Sequence, residues 1–234
     1  MPTPTDYLKK GALRVIEPAI SFLARNNVSP NALTTIGTLL TVAAAVVYAT
    51  GHIMSAGWLM SVTAAFDVID GQVARRTGRC TVFGAFYDST LDRIGESALF
   101  TGIAIYFLQG GVAHERLTFA IVACCAALGG SLLVSYTRAR AESLDIECNT
   151  GIATRAERIL LLGAPALFFG PGNRGTLLMW IVVALALATA ITVVQRIVHV
   201  ARATSPRGPG ASRAARSRDT LPGHAPALPS RKGR

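Results

Sequence analysis

Long apolar stretches dominate this chain and limit what it can fold into. A helix needs about 20 mostly apolar residues to cross the hydrocarbon core of a bilayer. Only 15% of the residues are charged, whereas about a quarter is usual in soluble domains. The pattern predicts an all-α integral membrane protein with six transmembrane helices, the fifth of them short. The predicted spans are residues 32–50, 53–73, 83–108, 117–137, 159–169 and 177–200.

The two ends of the chain differ in composition from these spans. Residues 7–25 mix Lys9, Lys10 and Arg14 with apolar side chains, which is typical of an amphipathic helix lying in the membrane interface. Residues 201–234 are rich in Pro, Ser, Gly and Arg without periodic apolar positions, and such segments stay disordered. We therefore expect a juxtamembrane helix (1–31), a six-helix domain (32–200) and a basic disordered tail (201–234).

The net charge of +10 is unevenly distributed between the segments that connect the spans. Lysine and arginine concentrate before the first span, between spans two and three, between four and five, and after the sixth. By the positive-inside rule, both termini and these connections are cytoplasmic, so we expect a multi-pass cell-membrane protein in contact with membrane lipids. No basic patch is interleaved with aromatic residues, so nucleic acid is not an expected partner.

Four carboxylates stand where spans two and three approach each other, in the stretch DVIDGQVARRTGRCTVFGAFYDSTLD. Asp67 and Asp70 are three residues apart, and Asp88 and Asp92 are four apart, so each pair shares one helix face. Counted from Arg79, Asp70 lies nine residues before and Asp88 nine after, while Asp67 lies twelve before and Asp92 thirteen after. A helical hairpin turning near Arg79 would bring all four carboxylates together.

Converging carboxylates need a countercharge, because like charges raise one another's pKa. Hard divalent cations such as Mg²⁺ or Mn²⁺ prefer oxygen ligands, and two ions about 4 Å apart would suit phosphoryl chemistry. Gly71, Ala74 and Gly84 are small residues on the same faces, and Arg75 could reach a phosphate oxygen. The alternative is a helix–helix interface of small residues, with the acids paired to arginine.

The whole pattern, DxxDGxxAR followed after eight residues by GxxxDxxxD, resembles the signature of the CDP-alcohol phosphotransferases, which are integral membrane enzymes of phospholipid synthesis. The six spans and the N-terminal interfacial helix are also similar to that family, so the resemblance covers about residues 5–200. The signature positions are Asp67, Asp70, Gly71, Ala74, Arg75, Gly84, Asp88 and Asp92.

This resemblance implies roles for individual residues. Asp67, Asp70 and Asp88 would hold two metal ions, Mg²⁺ or alternatively Mn²⁺, and Asp92, a further candidate ligand, would be the general base. An alcohol would attack the lipid-side phosphate of CDP-diacylglycerol, and CMP would leave. A homodimer is also implied by the family. The residues implied to bind the CDP-lipid are Asn31, Thr34, Asp67, Gly71, Ala74, Arg75 and Gly84.

A second set of residues bears on the acceptor alcohol. Arginines crowd one cytoplasmic face at the ends of spans four, five and six, and guanidinium groups suit a phosphate dianion. Ordinary positive-inside charge and snorkelling are the alternative. The segments resemble the family branch that makes phosphatidylinositol phosphate and its archaeal-lipid counterpart, which implies inositol phosphate as acceptor. Its candidate phosphate-binding residues are Ser135, Arg138, Arg140, Arg158 and Arg196, with Arg138 standing where some members have lysine.

Two other functions remain open from the sequence. Glycerol 3-phosphate as acceptor would give phosphatidylglycerol phosphate by the same chemistry, and it needs the same phosphate pocket. A divalent-cation transporter would use the four aspartates as its transport site. Against the transporter, Arg75 and Gly84 would have no task, and the acid motif has no inverted repeat elsewhere in the chain.

Overall fold

The computed structural model describes residues 16–148, 150–152, 155–170 and 175–205, without the side chains of residues 155–157. This part of the chain is all-α and contains no strand. A π-helical turn at Phe107–Gly111 and a 3-10 turn at His114–Arg116 lie between α4 and α5. The helices are α1 (residues 16–25), α2 (Pro30–Ala49), α3 (Ile53–Arg76), α4 (Val82–Tyr106), α5 (Leu117–Glu142), α6 (Arg155–Phe169) and α7 (Thr176–Thr204).

The helices α2 to α7 coincide with the six predicted apolar stretches but extend beyond several of them. The helices α3, α5 and α7 continue past the predicted ends to Arg76, Glu142 and Thr204, and α6 begins early, at Arg155. Hydropathy underestimates these lengths because charged residues continue the helical hydrogen bonding once the chain leaves the apolar layer. Residues 1–15 and 206–234, which hold most of the predicted tail, lie outside the described residues.

Four helices within the described residues are long and apolar enough to cross a membrane. They are α2, α3, α7, and α5 together with the 3-10 turn before it. The helix α4 has 25 residues but carries Asp88, Asp92, Arg93 and Glu96, so charged residues interrupt its apolar run near the middle of the helix. The helix α6 has only 15 residues. The structure therefore agrees with an all-α membrane protein.

The turn between α3 and α4 forms where the sequence predicts a hairpin. Thr77 ends α3, and Gly78 adopts a φ of +64°, which glycine tolerates without a Cβ clash. The Arg79 amide donates to the Ala74 carbonyl at 3.0 Å, which closes the end of α3. Thr81 then caps α4 by accepting a hydrogen bond from the Gly84 amide at 2.9 Å. The two acid-bearing helices are thus joined by one short turn, and both pack on α2.

The helix packing places α2 against both α3 and α4, while α6 packs on α3 and α5 packs on α7. Small residues allow these close approaches, as is common between membrane helices. A Cβ added at Gly102 would overlap the Ala45 backbone, and one at Gly57 would lie 2.5 Å from the Leu167 nitrogen. The helix α2 is therefore fixed against both helices of the acid-rich hairpin.

The helix α1 packs on the C-terminal end of α3, the end that the sequence predicts to be cytoplasmic. Ile20 is fully buried beside Leu33, Ile69 and Val73. The Arg76 guanidinium donates to both carboxylate oxygens of Glu17 at 2.7 Å, and these hydrogen bonds lower the pKa of Glu17. The end of α3 that carries the acid motif is thus held by α1 as well as by α2.

Candidate active site

The carboxylates lie where α2 crosses the α3–α4 hairpin. Asp70 is buried, with 8% of its surface exposed, and the Thr34 hydroxyl donates to its Oδ2 at 2.9 Å. Asp67 lies beside Gly37 of α2, where an added Cβ would be 3.7 Å from its Oδ1. The charges of Asp88 and Asp67 both act on the Asp70 carboxylate. Three of the four predicted acids are therefore close enough to interact electrostatically.

The side chains do not form a closed coordination shell. Within the part of the chain that the structure describes, no three His, Cys, Asp or Glu side chains lie close enough together to hold a metal ion. The donor set nevertheless suits a hard cation, because it consists of carboxylates on two helices joined by one turn, next to a hydroxyl. Asp70 is buried and accepts a hydrogen bond from the neutral Thr34 hydroxyl, and a cation could balance its charge.

Asp92 lies one turn beyond Asp88 on α4 and is largely withdrawn from solvent. Its side chain is 12% exposed, and Arg93 Nη1 lies 3.5 Å from its Oδ2. Asp92 is therefore a largely withdrawn carboxylate and not one side of an exposed surface ion pair.

The residues predicted to bind the CDP-lipid lie in the first turns of α2 and α4 and near the end of α3. A Cβ at Gly84 would lie 3.4 Å from Asn31 Oδ1 and 3.0 Å from Thr81 Oγ1. A side chain at position 84 would therefore crowd the Thr81 hydroxyl that caps α4, so Gly84 has a structural role that the sequence pattern did not indicate. On α3, the Arg75 guanidinium folds back over Gly71, with Nη2 3.4 Å from where a Cβ would stand. Ala74 is half-buried on the same helix.

An apolar groove of about 640 Å³ begins beside the acid motif. It runs between α3 and α6 and has Asp67 in its wall, so one end is charged while the remainder is mostly hydrocarbon. Such a groove can accept a molecule with a polar head and an apolar tail. Its other lining residues include Met60, Ala64, Val68, Gly163 and Leu167.

The predicted acceptor arginines divide into a buried pair and an exposed pair. Arg158 is 4% exposed and binds Glu96 of α4, while Arg196 is 5% exposed and donates to the backbone carbonyls of Val134 and Thr150. Arg138 is exposed and binds Glu142 at 2.8 Å. Arg138 and Arg158 are close enough for their charges to act on Arg196. The exposed fourth arginine, Arg140, lies 3.4 Å from the Ser143 hydroxyl.

Ser135 is half-buried on α5, three residues before Arg138. It lines a cavity of about 600 Å³ between α4 and α5, together with Arg93 and Ser97. None of the four predicted acceptor arginines contributes to the lining of this cavity. The Ser135 hydroxyl itself donates to the Ser131 carbonyl at 3.1 Å. The arginine in the lining of this cavity is Arg93, which the predicted acceptor site does not include.

Comparison with known proteins agrees with the signature. Residues 27–194 match the family model of the CDP-alcohol phosphatidyltransferases, a range that includes the hairpin, the groove and the buried arginine Arg158. The chain belongs to the CDP-alcohol phosphatidyltransferase family. The chain is therefore an enzyme of the transferase class, and the predicted family is confirmed.

Named members of the CDP-alcohol phosphatidyltransferase family are similar over most of the chain. Phosphatidylinositol phosphate synthase of Cutibacterium acnes is 40% identical over 206 residues, which are 85% of this chain and 98% of that protein. Archaetidylinositol phosphate synthase of Methanothermobacter thermautotrophicus is 38% identical over 72% of this chain and 80% of that protein.

Solved structures of one such enzyme share the fold. The crystal structure of Mycobacterium tuberculosis phosphatidylinositol phosphate synthase with CDP-DAG bound has a TM-score of 0.70 and 30% identity, and the match covers 85% of this chain and 96% of that chain. The same enzyme in complex with manganese and citrate also gives a TM-score of 0.70, at 31% identity over 83% and 90% of the two chains.

Glu96 is a buried acid of this transferase that the predicted site does not include. It lies four residues after Asp92 and is 7% exposed, so it continues the i, i+4 spacing of Asp88 and Asp92. A carboxylate in the middle of an apolar span is expensive and therefore a functional candidate. That rule, applied one turn further along α4, would have identified it. Its partner Arg158 could not be read from the sequence, since 62 residues separate the two.

Proposed function

We propose that this chain transfers the phosphatidyl group from CDP-diacylglycerol to inositol phosphate, giving phosphatidylinositol phosphate and CMP. The acid-rich hairpin, with three interacting carboxylates beside an apolar groove, is the observation that carries the proposal. The buried arginines and the names of the similar proteins support inositol phosphate as the acceptor.

A divalent metal is part of the proposal. Asp67, Asp70 and Asp88 are the proposed ligands, with Asp92, the proposed base, as a further candidate. Mg²⁺ is the proposed ion, two per site, with Mn²⁺ as the alternative. A divalent cation bound there would neutralise the pyrophosphate and the charge that develops on the leaving phosphate. Closure of the shell requires rotation of the carboxylates about their side-chain torsions. The crystal structure of the similar Mycobacterium tuberculosis enzyme with manganese supports the choice of a divalent ion.

The chain's own residues account for the proton and for orientation in the reaction. Asp92 accepts the proton of the acceptor's hydroxyl group while the oxygen of that hydroxyl bonds to the lipid-side phosphorus. The bond between that phosphorus and the oxygen bridging to CMP breaks, and CMP leaves with the electron pair. Asn31, Thr34, Gly71, Ala74 and Arg75 line the nucleotide side, and Gly84 lets the start of α4 approach it.

The substrates are placed by two different surfaces. The groove between α3 and α6 takes an acyl chain of CDP-diacylglycerol, because its walls are hydrocarbon and its charged end is at Asp67. Arg158 and Arg196 bind the phosphate of the acceptor, since a buried guanidinium offers strong charge-assisted hydrogen bonds. Arg138, Arg140 and Ser135 lie outside that buried pair and contribute at the entrance.

The same proposal includes the arrangement in the membrane. The helices α2 to α7 are taken as six transmembrane helices, with α4 admitted despite its charges because these face the protein interior. The helix α1 lies in the interface, both termini and the acid motif face the cytoplasm, and the chain forms a homodimer. The proposed boundaries are residues 1–31, 32–200 and 201–234.

The experiment follows CMP release from the purified full chain in detergent with CDP-diacylglycerol and Mg²⁺. Inositol phosphate, glycerol 3-phosphate, inositol and serine are offered separately. The proposal expects release with inositol phosphate and none without the divalent ion. Release with glycerol 3-phosphate and with none of the other three would contradict inositol phosphate as the acceptor. No release with any of the four would contradict the proposed reaction.

A further inference from the structure

The buried ion pair between Glu96 and Arg158 joins α4 and α6, two helices that share the hydrophobic core but do not pack closely on each other. The helix α6, which carries Arg158, packs on α3 and less closely on α7. Its link to α4 depends on long side chains, and Arg158 supplies one. Both Arg158 Nε, at 3.1 Å, and Arg158 Nη2 donate to the same carboxylate oxygen, Glu96 Oε1.

Burial makes this pair different from the other arginine contacts of the site. The side chains of Arg158 and Glu96 are 5% and 9% exposed, whereas those of Arg138 and Glu142 are 53% and 50% exposed. An exposed pair is screened by water and contributes little. A buried pair has an oriented geometry, and removal of one partner leaves an uncompensated charge in a medium of low dielectric constant.

Glu96 also stands in a fixed relation to the proposed base. It follows Asp92 by four residues on α4, so the two carboxylates lie one turn apart on the same helix face. By holding Arg158, Glu96 therefore fixes the distance between a cation for the acceptor phosphate and the base for the acceptor hydroxyl. A phosphorylated alcohol has to satisfy both groups at once, so this distance bears directly on its binding.

The pair retains unused hydrogen-bonding capacity. Glu96 Oε2 is buried and has no hydrogen-bond partner among the described residues. Because a carboxylate can accept bonds on both oxygens, Arg158 can turn from a one-oxygen contact to a two-oxygen contact without leaving Glu96. The guanidinium can thus reorient toward a phosphate while it stays attached to α4.

We propose that Glu96 is a positioning residue for the acceptor: it holds the Arg158 guanidinium in the orientation that receives the acceptor phosphate. This inference rests on the proposed function, since it assigns Arg158 to a phosphorylated alcohol. It predicts that replacement of Glu96 lowers the affinity for the acceptor and does not change the affinity for CDP-diacylglycerol. Glu96 itself touches neither substrate in this role.

The test compares Glu96→Ala, Glu96→Gln and Glu96→Asp with Glu115→Gln, a control at an exposed glutamate in the turn before α5. The KM values for inositol phosphate and for CDP-diacylglycerol are measured separately. Glu96→Ala should raise the KM for inositol phosphate about tenfold or more, the loss typical of a charge-assisted hydrogen bond. Glu96→Gln, which retains an acceptor oxygen, should raise it less, and Glu96→Asp should recover most of the affinity.

A second measurement, calorimetric binding of inositol phosphate without CDP-diacylglycerol, separates this inference from the proposed reaction. Weaker binding in Glu96→Ala, restored by Glu96→Asp, supports the inference even if the wild-type chain releases no CMP. Equal rises in both KM values, or an unchanged KM and binding constant for inositol phosphate, would overturn it while the reaction stands. Wild-type protein that neither binds nor uses inositol phosphate would overturn both. If Glu96→Ala does not fold, the Gln and Asp variants give the same comparison.

Discussion

The aspartates of the hairpin differ in their surroundings, although the sequence presents them as a series. Asp70 accepts a hydrogen bond from Thr34 in a buried position, whereas Asp92 lies next to Arg93 and is slightly more open. This difference is consistent with separate roles for the two residues, a metal ligand at Asp70 and a general base at Asp92. A carboxylate that is fixed by a hydroxyl suits a ligand, while the slightly more open carboxylate of Asp92 suits a base that has to reach a substrate hydroxyl.

Replacement of the proposed base should separate binding from chemistry. We expect Asp92→Asn to lower kcat by about 100-fold or more, because a general base typically contributes that much or more, while CDP-diacylglycerol still binds. Asp70→Asn is the comparison, since loss of a ligand charge should weaken binding of the divalent ion. Equilibrium binding of CDP-diacylglycerol and Mn²⁺ is measured beside turnover. An active Asp92→Asn variant would show that the base is another group.

The buried arginine of α7 has a structural role in addition to its proposed contact with phosphate. Arg196 donates to the carbonyls of Val134 and Thr150, and bonds to a charged group contribute about 1.5–3 kcal/mol each. Arg196→Ala should therefore lower Tm and raise the KM for the phosphorylated acceptor. Arg202→Ala, at an exposed position on the same helix, is the control and should change neither. An effect confined to CDP-diacylglycerol would contradict the proposed pocket.

Sequence spacing predicted the carboxylate pairs because residues within one helix have fixed relations. It could not predict the pairing of Arg158 with Glu96, or the cavity that Ser135 shares with Arg93, because both depend on how separate helices pack. The second role of Gly84 was hidden for a related reason. Its closeness to Thr81 and Asn31 depends on the N-cap of α4 and on the crossing of α2.

At the scale of elements, hydropathy located every long helix, but the ends of several helices were underestimated. Charged turns such as those ending at Arg76 and Glu142 remain helical because their backbone hydrogen bonds do not depend on side-chain polarity. The pattern also favoured six spans, whereas four described helices meet a length-and-composition standard. The difference lies in α4, whose charged residues interrupt its apolar run near the middle of the helix, and in the short α6.

The contact between α2 and α4 should be sensitive to one methyl group. Gly102→Ala places a Cβ against the Ala45 carbonyl, and overpacking of this kind costs about 1–3 kcal/mol. Gly129→Ala is the matched control, since nothing lies within 4 Å of its added Cβ. Thermal unfolding in detergent should show a lower Tm for Gly102→Ala and an unchanged or higher Tm for Gly129→Ala. Equal Tm values would contradict the close approach of these helices.

At the scale of the whole molecule, the proposed orientation puts the α3–α4 turn in the cytoplasm. Cys80 lies exposed in this turn, whereas Cys124 and Cys148 are buried. Cys125 is also exposed, but it lies within the apolar helix α5, where the proposed bilayer would keep a water-soluble reagent away. An impermeant maleimide should therefore label the protein through Cys80 in inverted vesicles and not in intact cells. Cys80→Ser should abolish that labelling, and Glu115→Cys in the same background should be labelled in intact cells. Labelling of Cys80 from outside would reverse the orientation.

The central claim is that this chain transfers the phosphatidyl group of CDP-diacylglycerol to inositol phosphate at the acid-rich hairpin. Mass spectrometry of the lipids formed when equal concentrations of inositol phosphate and glycerol 3-phosphate compete for CDP-diacylglycerol tests it most directly. The account predicts phosphatidylinositol phosphate as the main product, formed by the wild-type chain with Mg²⁺ and not by Asp92→Asn. Phosphatidylglycerol phosphate as the main product, or no lipid product, would contradict it.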